Sequence, residues 1–417
     1  MTQATAHPAD PDNRTRRWRE QRWMLDSLIA ANGPEFDQPR SLIYSAPAGF
    51  EALADFQAIN PRIRKFADLH REYAAGARRR QAKAQAFLEQ GRTVAARESF
   101  FIAAQLWACA RWPRFAVDAP HRESTQGLND CYAHYARLAA HRVEPVEIPF
   151  GPASLPAWLH LPHGTAPEHG WPLVVYLPGM DNNKEQMVAM YGERMLERGI
   201  AVLAIDGPGQ AESIVRGIPV TASNHAAAAI AVHAWLDARP GLDARRIGIR
   251  GVSFGSFFSL QWAAALGERC AGVVASYVAH EPGLRTLFES ASPTFKVRFM
   301  MMSGHEDEDA FDHFAREFDP VPWARQVRAP VLIQAGEDDE LSPLVHTERV
   351  FDAITAPRQL VVYEGHKHVL RGGGSVAAGE NPDTQWADWL QDRLHGRPAA
   401  SHRTTIHLSG QATVQPL

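Results

Sequence analysis

The sequence predicts an α/β fold: a mostly parallel central sheet with helices on both faces, preceded by a helical domain and interrupted by a helical insertion. Three observations carry this. Beyond residue 142, short apolar runs alternate with helical stretches, the pattern of a parallel sheet covered on both sides. Before that point the pattern is helical, with few strand signals. A chain of 417 residues, 45% hydrophobic and 22% charged, is long enough for one large core and an accessory domain.

The first segment, residues 1–15, reads as a flexible polar tail. Residues 16–141 read as a helical domain. Within TVAARESFFIAAQLWACARW, Ala96, Phe100, Ala103 and Trp107 recur at three- and four-residue intervals and so share one helix face. The preceding stretch ends at Gly91, where a helix-terminating glycine belongs, so the two form a helical hairpin. A hairpin of this kind resembles one tetratricopeptide unit, but no second copy at a fixed period follows it.

Residues 142–398 read as the α/β core. VEPVEIPFG and LPAWLHLP are strands broken by prolines, which suits an antiparallel edge. PLVVYLPG, GIAVLAIDGPG, RRIGIRGVS, CAGVVASYV, APVLIQAGED and RQLVVYEG then supply strands. Helices fall near Lys184 to Arg198, over NHAAAAIAVHAWLDA, after Gly255, near Leu344 to Ala353, and around TQWADWLQDRL. An insertion at 280–328, rich in aromatics, methionines and acids, is too long for a structureless loop and reads as a helical lid. Residues 399–417 read as a polar C-terminal tail without structure.

The formal net charge of −4 and the absence of a polybasic tract argue against nucleic acid and anionic membranes as partners. Three scattered cysteines, Cys109, Cys131 and Cys270, make neither a disulfide framework nor a CxxC metal site and fit a reducing compartment. No apolar run reaches the ~18 residues of a spanning helix, and the first residues lack a signal-peptide core. The expectation is a cytoplasmic protein acting on a small molecule, with no cofactor and no metal. The helical domain offers enough surface for a homodimer, although no self-complementary pattern supports one.

The stretch IGIRGVSFGSFFSL places Ser253 between Gly251 and Gly255, at the end of one strand and the start of the next helix. A nucleophile elbow needs that setting, because the glycines allow a sharp turn that pushes the hydroxyl beyond the sheet. A serine that merely caps the helix would look the same locally. A serine nucleophile also needs a histidine base held by a carboxylate. AGEDDELSP and EGHKHVL each follow a later strand and supply both, in the order serine, acid, histidine. Asp338 competes with Asp339, and His366 with His368. The acid standing three residues after Gly336 and four before Pro343 favours Asp339, and three residues after Gly365 favours His368. The HKH spacing has no second ligand cluster, so a metal site is disfavoured. Donors for a developing oxyanion are expected at the backbone amides of Phe254, next after the serine, and Met180, in the loop LPGMDNNKEQM.

The segments PGMDNNKEQ, AIDGPGQAES, LDARRIGIRGVSFGS, GEDDELSP and YEGHKH together resemble the α/β-hydrolase superfamily. With the helical first part, the chain is similar to the 2,6-dihydroxypseudooxynicotine hydrolase group, which includes fungal polyketide chain-shortening hydrolases and lies near the FrsA-like esterases. The resemblance implies a Ser-Asp-His hydrolase that cleaves, through an acyl-enzyme, a carbon–carbon bond beside a ketone in a β-diketone or acyl-phenol, or alternatively a small carboxylic ester. It also implies an assisting glutamate in the lid region, for which Glu289 in TLFESASPT is the nearest match and Glu281 a second choice. Lys184 and Glu185 match the group's Lys-Glu pair and are expected to hold their loop. Ala211 and Ser256 depart from the pattern, each standing where the group has glycine. Trp107, Trp112, Phe288, Phe299 and Trp323 hint at a cyclic or aromatic substrate. A remote alternative is an idle hydrolase fold serving as an interaction scaffold, which a missing Ser, Asp or His would have favoured.

Overall fold

The computed structural model describes residues 17–190, 193–370 and 374–417. The expected tail at 1–15 lies outside the described residues.

Helices Arg17–Asn32, Arg40–Ser45, Phe50–Ile59, Phe66–Glu89, Thr93–Arg111 and Ala119–Leu138 build the first part. Gly91, at φ +71°, turns the chain between Phe66–Glu89 and Thr93–Arg111 as the sequence predicts. The four spaced residues of helix Thr93–Arg111 are buried, and so is every residue from Ser99 onward. A helix buried on all sides belongs at a centre, and this one forms the middle of its own core with Phe56, Tyr73 and Tyr132. That core extends to Trp158 of the sheet.

The described residues place ten strands in one sheet: β1 Arg142–Phe150, β2 Ala153–Leu161, β3 Trp171–Leu177, β4 Ala201–Ile205, β5 Leu242–Val252, β6 Cys270–Ser276, β7 Val331–Gly336, β8 Arg358–Tyr363, β9 His402–Ile406 and β10 Ala412–Pro416. Their order is β1-β2-β4-β3-β5-β6-β7-β8-β9-β10. From β4 to β9 along the sheet every pairing is parallel, while the end pairings β1–β2, β2–β4 and β9–β10 are antiparallel. Pro145 and Pro149 sit in the edge strand β1, where a missing N–H leaves no gap in the ladder. Strands β4, β6 and β7 are buried throughout, as expected of strands covered on both faces. One face packs Val232, Phe258 and Trp262, and the other Met187, Trp386 and Leu390. Because β3, β5, β7 and β8 are parallel, their carboxyl ends emerge on one side, where a site belongs in such folds.

Two expectations need correction. Residues 399–417 are not a structureless tail: β9 adds parallel to β8, and β10 folds back on β9. Ile406 and Thr404 are buried there, and Glu364 accepts from Leu408 N at 2.8 Å. The stretch near Lys184 to Arg198 is two helices, Lys184–Met190 and Arg194–Glu197, with residues 191–192 between them outside the description. The insertion is helical as expected, with Pro293–Ser303, Glu308–Ala315 and Val321–Ala324. Its Phe299 packs against Phe254 at 4.5 Å between ring centroids, and Phe318 against Phe257 at 5.4 Å. The insertion is thereby fastened to the helix that follows Ser253.

Candidate active site

Ser253 stands between the end of β5 and the helix Phe254–Leu266, with φ +52° and ψ −121°. A non-glycine residue held there is strained, and such strain persists where the surroundings impose it. Here the flanking glycines allow the turn by close approach. A Cβ on Gly251 would lie 2.3 Å from the Gly255 carbonyl oxygen, and one on Gly255 would lie 2.3 Å from that of Leu177. The hydroxyl that the turn presents is 2.9 Å from His368 Nε2.

His368 follows β8 and Asp339 follows β7. Nδ1 of His368 donates to Asp339 Oδ2 at 2.9 Å, with Oδ1 at 3.2 Å. That direction is set by the carboxylate, which can only accept. Asp339 is itself oriented, because its Oδ1 accepts from Leu341 N and Ser342 N, both at 2.9 Å. The His368 amide donates to Glu340 Oε2 at 2.9 Å. Burial works against a charge on the His368 ring, but Asp339 and Glu340 outweigh it and raise its pKa above 6.5. Of the competing residues, Asp338 is exposed, and His366 accepts from Val376 N at 3.3 Å instead of reaching the serine.

Met180 and Phe254 both line the cavity that opens at Ser253. Gly179 brings the loop after β3 close to the serine: a Cβ there would sit 3.1 Å from Ser253 Cβ. This loop is held from two sides. From the sheet side, Lys184 N donates to Asp206 Oδ1 at 2.8 Å, and Lys184 Nζ reaches Glu185 at 2.5 Å and Glu212 at 2.6 Å. Burial opposes the Lys184 charge, yet these carboxylates raise its pKa. The Lys-Glu pair thus anchors the loop, as expected of it. Ala211, one of the departures, adopts φ +35°, and the other, Ser256, uses its hydroxyl to accept from Ala279 N at 3.0 Å.

From the helical domain, Arg40 Nη2 donates to Asp181 Oδ2 at 2.9 Å, Trp112 Nε1 to Asp181 Oδ1 at 3.2 Å, and the Tyr44 hydroxyl to the Asp181 carbonyl at 3.0 Å. Arg40 is buried, pairs also with Asp37, and stacks on Trp112 with 3.5 Å to the ring centroid. Sequence reasoning missed this clamp, whose partners Arg40 and Asp181 lie 141 residues apart in the chain.

The cavity encloses about 850 Å³, counting its mouth, and is mostly apolar, with Ile43, Val252, Leu287, Phe295 and Leu341 in its wall. Arg40 and Tyr44 also line it, so the roof comes from the helical domain as well as from the insertion. The aromatic residues singled out in the sequence are elsewhere. Trp107 and Trp112 pack inside the helical domain, Phe288 and Phe299 pack in the main core, and Trp323 lies partly buried against that core. Glu289 does not line the cavity; its carboxylate is 3.5 Å from Lys296 Nζ. Glu281 accepts from Thr286 N at 2.6 Å and is likewise outside the lining. Among the described residues no group of His, Cys, Asp and Glu is arranged to hold a metal ion, and no helix is long and apolar enough to cross a membrane.

A family model described as "Esterase FrsA-like" matches residues 69–302, more than half of the chain. The chain belongs to the FrsA-like esterase family. It is an α/β-hydrolase enzyme, related to hydrolases and esterases. The alpha/beta hydrolase ucsC of Acremonium sp. is 29% identical over 248 residues, which cover 54% of this chain and 50% of that protein. The 2,6-dihydropseudooxynicotine hydrolase of Paenarthrobacter nicotinovorans is 26% identical over 292 residues, 69% of this chain and 74% of that one. The crystal structure of a 2,6-dihydroxy-pseudo-oxynicotine hydrolase superposes with a TM-score of 0.71 at 21% identity, covering 85% of this chain and 96% of the other. That likeness is one of fold, and it includes the helical first part. The family match ends at residue 302, so Asp339 and His368 rest on their geometry.

Proposed function

We propose that this esterase-family protein is a serine hydrolase acting through an acyl-enzyme, with Ser253 as nucleophile, His368 as base and Asp339 as the group that orients the imidazole. The observation that carries the reading is the unbroken hydrogen-bonded chain from Ser253 Oγ through His368 to Asp339. With Nδ1–H committed to Asp339, Nε2 is free to accept the serine proton as the hydroxyl attacks a carbonyl carbon. The amides of Phe254 and Met180 are the donors proposed for the resulting oxyanion. The imidazolium then gives its proton to the leaving group, and water, activated by the same histidine, clears the acyl-enzyme.

The substrate we propose carries a carbonyl flanked by apolar surface, because the cavity wall around Ser253 is aliphatic and aromatic. Cleavage of a carbon–carbon bond beside a ketone is the leading reaction, supported by the relationship to the Paenarthrobacter hydrolase. Its leaving group is an enolate, and His368 is the proton donor within reach. Glu289, expected to assist, is set aside because it is paired with Lys296 away from the lining. Ester hydrolysis is the second reading: Asp181, the one carboxyl in the described lining, is already bound by Arg40 and Trp112, and an alkoxide or phenolate leaving group needs no further acid.

The test compares 4-nitrophenyl acetate and butyrate with an aromatic β-diketone, using wild type and Ser253→Ala. Diketone cleavage exceeding ester turnover, both lost in the variant, is the expected result. Ester turnover alone would select the second reading. Activity surviving in Ser253→Ala would remove the serine from the mechanism, and a folded wild type inert to both substrates and to a fluorophosphonate would point to an idle scaffold.

A further inference from the structure

Behind the loop that carries Met180 lies a second, narrower cavity of about 250 Å³, counting the space at its mouth. Met180 and Asn182 line both cavities, so these two residues are common to the wall at Ser253 and to this inner space. Arg111, His121 and Arg298 face the inner cavity from two helices of the first domain and one of the insertion. All three residues are at least nine-tenths buried, and each keeps a polar atom without a hydrogen-bond partner among the described residues: Arg111 Nη1, His121 Nδ1 and Arg298 Nε. The remaining lining is apolar or glycine apart from Asn182.

The charge around this space does not balance. Asp181 is the acid nearest to Arg298, at 3.9 Å from its Nε, and it is already bound by Arg40 and Trp112. Asp37 is taken by Arg40 and by the Thr294 hydroxyl. Among the described residues Arg111 therefore faces the cavity with no carboxylate in ion-pair reach, and Arg298 has only a 3.9 Å share of an Asp181 that Arg40 already holds. Burial lowers Arg298 to about 10 against the opposing pull of Asp181, and burial followed by the charges of Arg111 and Arg298 lowers His121 to about 2. Unpaired buried guanidinium nitrogens are costly, and a carboxylate that accepts from them relieves the cost with charge-assisted bonds. Methionines at 180, 301 and 302 form much of the wall, and their unbranched side chains adapt readily to what enters.

We propose that the cavity bounded by Arg111, His121 and Arg298 is a subsite for a carboxylate of the substrate. It deepens the hydrolase reading and rests on it: the favoured substrate is anionic, with its carbonyl at Ser253 and its carboxylate reaching past Met180. A neutral analogue forgoes these charge-assisted bonds, so discrimination of about tenfold or more in kcat/KM is expected.

The test uses two matched pairs of esters. Mono-4-nitrophenyl adipate against 4-nitrophenyl hexanoate puts the charge on the acyl side, and 3-carboxyphenyl butyrate against phenyl butyrate puts it on the leaving-group side. The expected result is a preference of about tenfold for the charged member of one pair, which identifies the side, and its loss in Arg111→Met. Arg111→Gln serves if the methionine variant does not fold. No preference in wild type for either pair, or one that persists in the folded variant, overturns the subsite. Calorimetric titration of the same esters into Ser253→Ala separates the two readings. Tighter binding of the charged ester without turnover in wild type would keep the subsite and remove the mechanism, whereas turnover with equal binding would do the reverse.

Discussion

Replacing Asp339 by asparagine tests the proposed mechanism most sharply, because the structure dictates which way the new amide must turn. Asp339 Oδ1 accepts from the amides of Leu341 and Ser342 at 2.9 Å, while Oδ2 accepts from His368 Nδ1 at 2.9 Å. An asparagine that keeps its oxygen on the two amides presents its NH2 to Nδ1. The imidazole must then accept at Nδ1 and carry its proton on Nε2, where it cannot take one from Ser253. The opposite rotamer preserves the active tautomer but leaves two buried N–H groups facing an NH2. At about 1–3 kcal/mol for each unsatisfied donor, it is disfavoured by about 2–6 kcal/mol. With about 1.4 kcal/mol for each tenfold, the active fraction falls by roughly 30-fold to 10⁴-fold. The assay is kcat for 4-nitrophenyl butyrate, with thermal unfolding as the control for folding and Asp338→Asn as the control for local charge. A variant that unfolds like wild type and retains kcat within about fivefold would refute the argument.

Three further outcomes are expected. Because Asp339 and Glu340 raise the pKa of His368 above 6.5, the acid limb of the kcat/KM profile should have its midpoint above pH 6.5, with activity rising as the ring loses its proton. The same shift stabilises the fold below pH 6.5 and loses that contribution as the pH rises through the folded pKa, so denaturant midpoints of wild type and His368→Ala should converge toward alkaline pH. Arg40→Met leaves the half-buried Asp181 and Asp37 without their guanidinium partner, though with other donors still in place, which should cost about 1–3 kcal/mol in chemical denaturation. It should also lower kcat more than it changes KM, since the Met180 loop is released; unchanged kcat in the folded variant would disprove that role. Truncation after Arg397 removes β9 and β10, lays open the β8 edge and uncovers what Ile406 packs against, so the shortened chain should elute as aggregate in size-exclusion chromatography; a monomer with an unaltered unfolding temperature would mean the two strands are dispensable.

Much of the main architecture was legible because it rests on local periodicity. Alternating apolar runs marked β3 to β8, prolines marked the edge strand β1, and a glycine marked the turn between the long helices. The elbow at Ser253 was legible for the same reason: Gly251 and Gly255 are demanded by contacts within a few residues and by one neighbouring strand. The hairpin β9–β10 had a readable signal in Thr404, Thr405 and Ile406 before the Ser409-Gly410 turn and Thr413 and Val414 after it, but its polar composition masked it.

What the sequence by itself determined is the order of elements, the strained serine and the two strand ends from which an acid and a histidine emerge, since each depends on spacing along the chain. The spacing along the chain favoured Asp339 and His368, but only the tertiary structure shows which residues meet: Asp339 bonds His368, which reaches Ser253, while Asp338 is exposed and His366 accepts from Val376 N. The tertiary structure also set Glu289 apart, closed the Arg40–Asp181 clamp and gathered Arg111, His121 and Arg298 around one space. Those relations join residues far apart in sequence, and it is the packing of the helical domain and the insertion over the sheet that brings them together.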